Sequence, residues 1–198
     1  MRILFFIVMV QFVFIDGIAQ TTGEATVTVD VTRSKLEWTG RKLGGEHYGE
    51  IQLSSGRLAF KKGRLAGGSF EIDMTSITCT DLTDEKSNRR LVDHLKSEDF
   101  FSVTRFPKAT LVMKKVGMKS PNEYSITADL TIKGKTNEIE FPAFLKGQSE
   151  AEANVVFDRS KFDVKFGSQS FFENLGDKLV YDDIELKITL ILLPPDAP

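Results

Sequence analysis

The chain has 198 residues, a formal net charge of −2 and an isoelectric point near 5.8. Charges of both signs are interspersed, so no clustered basic face marks a nucleic-acid partner. A single cysteine, Cys79, excludes a disulfide framework, and a chain of this size can rest on its core alone, burying roughly 70% of its unfolded surface.

The first segment reads as an address rather than as fold. Arg2 precedes ILFFIVMVQFVFI, and Asp16-Gly17-Ile18-Ala19 supplies small residues behind it. A basic start, an apolar run and a small-x-small exit predict a cleavable secretory signal over 1–19, with Gln20 first after cleavage. The apolar run is shorter than the roughly 20 residues a membrane span needs. These features predict a periplasmic or secreted protein with no stable membrane span after cleavage, folded as one domain over 20–198.

From residue 26 onward, alternation with a period of two dominates. Runs appear at 26–31, 35–40, 46–53, 57–61, 70–74, 108–116, 124–133, 138–145 and 151–157, then at 161–166 and 184–192. In the clearest middle run, Tyr124, Ile126, Ala128, Leu130 and Ile132 are apolar and the residues between them are polar, which is a strand with one buried face. Ser55-Gly56, Lys62-Gly63, Gly67-Gly68, Gly117, Pro121-Asn122 and Lys133-Gly134-Lys135 read as turn signals between runs, with Gly67-Gly68 a turn or a bulge. Links this short join antiparallel neighbours. About ten strands without helical crossovers predict an all-β fold, a sandwich or a closed barrel. The barrel is preferred because closure removes exposed edges.

One stretch departs from this period. From Asp84 to about Lys96, Leu91, Val92 and Leu95 recur at helical spacing, with Thr83 or Asp84 as cap. Ser97-Glu98-Asp99 then leads a second turn into Phe100-Phe101. The helical insertion spans about 84–101 and contains DHLKSEDFF, with His94 predicted to hold the helix in place.

Chemistry-bearing patterns are sparse. His47 and His94 are the only histidines, and no G-x-S-x-G elbow accompanies them. Asp93, His94 and Asp99 lie close together, yet match no metal-ligand spacing. The reading is therefore no catalytic residue, no metal and no cofactor. Cys79 reads as a small, partly buried residue. Four of the sixteen phenylalanines lie in the leader, and most of the other twelve fall on apolar strand faces. Such side chains either fill a solid core or leave room in a barrel for one apolar ligand. The residues alone leave both open.

The order of several blocks resembles the YceI-like family. They are VDVTRSKLEWTG at 29–40, GEHYGEIQLSSGRLAF at 45–60, GGSFEIDMTSI at 67–77 and LVDHLKSEDFFSVTRFPKATL at 91–111. ADLTIKGKTNEIEF at 128–141 and FDRSKFDVKFGS at 157–168 follow. The resemblance implies a single antiparallel lipocalin-like barrel around a long apolar cavity, in an exported protein that binds polyisoprenoid chains such as quinone tails. It moves the hollow barrel ahead of the filled one. Apolar face and period then nominate Trp38, Phe60, Phe70, Ile72, Leu111, Met113, Leu130, Ile132, Phe157, Phe162 and Phe166 as cavity wall. His47 and Arg159 are nominated to meet a polar head-group near a mouth. The expected partner is an isoprenoid or other long-chain lipid, with a homodimer left open. Two rivals remain: a structural or stress-response barrel with a filled core, and an enzyme acting on a lipid-linked substrate.

Overall fold

The computed structural model describes residues 23–194, so the predicted leader lies outside the described residues. Eight strands form among the described residues. They are β1 (Glu24–Lys42), β2 (Gly45–Lys61), β3 (Arg64–Asp73), β4 (Lys108–Ser120), β5 (Glu123–Ile132), β6 (Lys135–Leu145), β7 (Glu150–Asp158) and β8 (Val180–Leu192). Each pairs antiparallel with the next, and β8 returns to β1 to close a barrel. Tyr124, Ile126, Ala128, Leu130 and Ile132 all point inward and are buried, as their alternation requires. Lys62-Gly63 and Lys133-Gly134 each have two successive positive φ angles, the geometry that matches a tight hairpin to strand twist.

The predicted runs outnumber the strands because bulges interrupt the alternation without ending a strand. Runs 26–31 and 35–40 are both parts of β1, whose register slips against β8 between Asp30 and Lys35. Asp30 holds the irregularity. Its carboxylate accepts the Thr32 and Arg33 N–H groups at 3.1 and 3.2 Å and pairs with Arg33 Nε at 2.7 Å. Hydrogen bonds from Thr32 and Arg33 pull its pKa down to about 2. Ser55-Gly56 likewise sits inside β2, at a register slip against β3. A Cβ on Gly56 would lie 2.9 Å from the Phe70 ring and 3.0 Å from Val29 Cβ, so glycine serves close packing there instead of a turn. Gly67-Gly68 and Gly117 also lie within strands.

The run at 161–166 is no strand. Asp158 accepts the Ser160 N–H at 2.8 Å, a single 3-10 turn spans Arg159–Phe162, and Asp163 adopts a left-handed conformation at φ 63°. Phe162 and Val164 are both fully buried, so their alternation reflects a knot of turns. That knot fills a gap in the wall. β6 and β7 pair only over Ala143–Leu145 and Ala151–Ala153. Asn137 Nδ2 and Lys133 Nζ donate to the carbonyls of Lys161 and Asp163 at 3.0 and 2.9 Å.

Strand direction puts both long connections, 74–107 and 159–179, on the same rim of the barrel. The first carries α1 (Glu85–Lys96), started by Asp84, whose carboxylate accepts the Ser87 N–H at 2.8 Å. Leu95 and Phe100 are buried beneath it. Among the described residues, the opposite rim carries only short turns.

Candidate ligand cavity

Under α1 the barrel is hollow. A cavity of about 810 Å³ extends inward from this rim, bounded by strand faces and by the underside of the 74–107 connection. That is within the usual range for small-molecule pockets. Its deeper wall is aliphatic and aromatic: Leu36, Trp38, Ile51, Ile72, Leu130, Ile132, Phe157, Ile184 and Leu186. Lys42, His47, Ser87, Arg90, His94 and Asp99 bring polar groups from the rim, α1 and the turn that follows it. A smaller cavity of about 80 Å³ lies deeper, lined among others by Phe70, Leu111, Met113 and Tyr124.

The 74–107 connection fits because β2 lacks a side chain where it passes. Gly49 lies directly against the Thr78 carbonyl, and an added Cβ would be 2.8 Å from the Thr78 carbonyl carbon. Thr78 and Thr80 N–H groups donate to the carbonyls of Glu50 and Tyr48 at 2.9 and 3.0 Å. Trp38 Nε1 donates to the Thr78 carbonyl at 2.9 Å, satisfying the indole N–H while its ring lines the cavity.

His47 is oriented from this connection. Its Nδ1 lies 2.8 Å from Asp81 Oδ2, and Asp81 Oδ1 accepts the Tyr48 N–H at 3.0 Å and the Cys79 thiol at 3.1 Å. Burial pushes the Asp81 carboxyl up, but the bonds from His47, Tyr48 and Cys79 outweigh it and leave the pKa below the ordinary value. An ionised Asp81 only accepts, so the Nδ1 proton stays on His47. Burial, with the adjacent carboxylate, pushes the Cys79 thiol up. Among the described residues, no three His, Cys, Asp or Glu side chains gather as a metal site.

The nominated residues divide in three. Trp38, His47, Ile72, Leu130, Ile132, Phe157 and Phe166 line the large cavity. Phe70, Leu111 and Met113 line the small one, and Ile72 and Leu130 border both. Phe60, Phe162 and Arg159 line neither. Phe162 packs edge-on behind Phe157 at 5.7 Å. Phe60 sits towards the opposite rim, paired with Ala25 and Leu65.

Arg159 requires a correction, since it lies at no mouth. It is 0% exposed, and its guanidinium donates to the carbonyls of Val180, Val164 and Tyr181 at 3.0, 3.1 and 3.2 Å. Asp182 lies 3.2 Å away as an ion pair, not aligned as a hydrogen bond, and the Phe100 ring is 5.2 Å away. Burial lowers its pKa, against the opposing pull of Asp182 and Asp158. The residue ties the 159–179 connection to the turn after α1.

Sequence reasoning missed the helix as a wall. Leu91 and Leu95, one turn apart, line the cavity with Phe100 and Phe101, so the doubled phenylalanine both packs and faces the hollow. His94 lines it too, with its ring 4.3 Å from Phe166 and 5.8 Å from Phe100 and its Nε2 without a hydrogen-bond partner. The helical spacing carried the Leu91–Leu95 signal. For His94 the sequence predicts a helix anchor, and its place in the cavity wall is an addition from the tertiary structure.

Similarity to known proteins agrees with this architecture. The YceI-like domain family matches residues 27–192. Protein YceI of Shigella flexneri is 32% identical over 78 residues, 39% of this chain and 40% of that protein. A UPF0312 protein of Staphylococcus aureus is 45% identical over 58 residues, 29% of this chain and 31% of that one. The matched segments thus span half or less of these relatives. Among solved structures, Burkholderia cenocepacia BcnA superposes with a TM-score of 0.66 at 24% identity, over 82% of this chain and 98% of that one. A polyisoprenoid binding domain from Saccharophagus degradans gives a TM-score of 0.57 at 10% identity, over 86% and 99%. At such identities the superpositions speak for the fold. The eight-stranded barrel and the sequence match over 27–192 place this chain in the YceI-like family.

Proposed function

We propose that this protein holds a long apolar molecule, an isoprenoid or similar lipid, inside its barrel, and that it sequesters or carries that molecule after export. The observation that carries the reading is the hollow of about 810 Å³, walled by aliphatic and aromatic side chains and polar only towards its rim. Each methylene moved from water into such a space contributes about 0.8 kcal/mol, so a long tail binds with few polar contacts. The likeness to a polyisoprenoid binding domain supports the ligand class. The leader pattern at 1–19 supports a periplasmic or secreted location. Among the described residues, no helix is long and apolar enough to cross a membrane.

The enzyme reading has one observation in its favour, the His47–Asp81 pair beside the cavity. Among the described residues, no Ser or Cys side chain hydrogen-bonds His47 to complete a nucleophilic site, since Cys79 donates to Asp81 instead. Binding is the better account. The test is to purify the exported protein, extract it with organic solvent and identify the extract by mass spectrometry. A stoichiometric apolar lipid supports the proposal. No lipid, together with no binding of added isoprenoid quinones, would sink it.

A further inference from the structure

The apolar interior is two chambers meeting at a waist. Leu36, Ile72, Leu130 and Leu186 line both the large cavity and the small one. They come from β1, β3, β5 and β8, so they approach from around the barrel, as inward residues of one layer do. Leu36 and Leu130 are 4% exposed, whereas Ile72 and Leu186 are only partly buried. Polar groups enter the large chamber near the rim. Below the waist the lining is apolar apart from Glu152. An amphiphile therefore enters with its polar end at the rim and its tail pointing at the waist.

The space above the waist is wide but shallow. His47 near the rim and Ile51, which pairs with Leu36 at the waist, are four residues apart on β2. At about 3.3 Å per residue that is roughly 13 Å along the strand, and less along a tilted barrel axis. A short or folded tail fits in this depth. A longer one must displace the waist side chains to reach the chamber of about 80 Å³ beyond.

We propose that Leu36, Ile72, Leu130 and Leu186 form a ruler that sets the tail length the protein accepts, with the distal chamber as a reserve opened only by moving them. This rests on the apolar-ligand reading above. Close-packed aliphatic side chains yield in steps instead of stretching, so affinity rises with tail length up to a break.

The test uses a series of linear alcohols from octanol to octadecanol, titrated against the full chain and followed by the fluorescence of Trp38. Trp38 is the only tryptophan and lines the large chamber. In the unaltered protein, affinity should rise about fourfold per methylene and then level off within the series. Ile72→Ala and Leu186→Ala change the two partly exposed waist residues and should move the break to longer alcohols by at least two carbons. Phe60→Ala, at a residue that lines neither chamber, should leave it in place. Near-ultraviolet circular dichroism identifies a variant that has lost its fold, and the other waist variant then decides. A break that neither folded variant moves, or a rise with no break, overturns the ruler and leaves the carrier reading intact. If no alcohol binds and no lipid co-purifies, both fall together.

Discussion

The Thr78 carbonyl rests directly on the backbone of Gly49, closer than any side chain at that position would allow. The whole connection that roofs the cavity is docked there, reinforced by the Trp38 indole bond to the same carbonyl. Gly49→Ala should therefore push the connection off β2. Overpacking of a tight site costs roughly 1–3 kcal/mol, which for a chain of this size lowers the melting temperature by about 2–4 °C per kcal/mol. Thermal unfolding followed by circular dichroism checks this, and an unchanged midpoint would show that the contact relaxes freely.

Arg159 should prove structural. Replacing it with methionine leaves the carbonyls of Val164, Val180 and Tyr181 and the Asp182 carboxylate without their cation. Breaking a buried pair in this way costs on the order of 3–5 kcal/mol. Urea unfolding of Arg159→Met should show a loss of that order, with limited proteolysis cutting first within 165–179. A variant of normal stability that has lost only ligand affinity would restore the head-group role the sequence suggested.

Acid should loosen the roof through Asp81. Its pKa is depressed in the folded state, so its contribution is present above the ordinary carboxylate range and is lost as pH falls through the depressed value. Unfolding measured at pH 7 and near pH 3 should show a larger loss for the unaltered protein than for Asp81→Asn. Equal losses would mean that Asp81 is not coupled to folding.

Gly40 offers a way to fill the cavity without disturbing the fold. It lines the large chamber, and a Cβ there meets only Ile184 Cδ1, at an ordinary 3.5 Å. Gly40→Phe should project a ring into the hollow, leave the circular dichroism spectrum unchanged and reduce co-purified lipid at least severalfold. Undiminished lipid in the folded variant would place the ligand elsewhere.

Much of the barrel was legible because a half-buried strand must alternate. Tyr124 to Ile132 displays the period without interruption, and Leu91 and Leu95 display the helical one. The number of strands was less legible. Thr32-Arg33-Ser34 and Ser55-Gly56 look like stops to any local reading, yet ladder pairing on both sides carries β1 and β2 through them as bulges. The opposite error occurred at Phe162 and Val164. Their alternation came from turns around Asp158 and Asp163, which fill the space β6 and β7 leave unpaired.

What the sequence determined by itself was the period of its apolar residues, and with it an antiparallel all-β chain carrying one capped helix. Its blocks also pointed to the family. Only the tertiary structure decided which residues touch the hollow. His47 meets Asp81 across 34 positions, and Arg159 meets Tyr181 across 22. Period assigns a residue to a face, but closure, bulges and the roof over one rim decide whether that face meets the cavity, a packed layer or a buried cation.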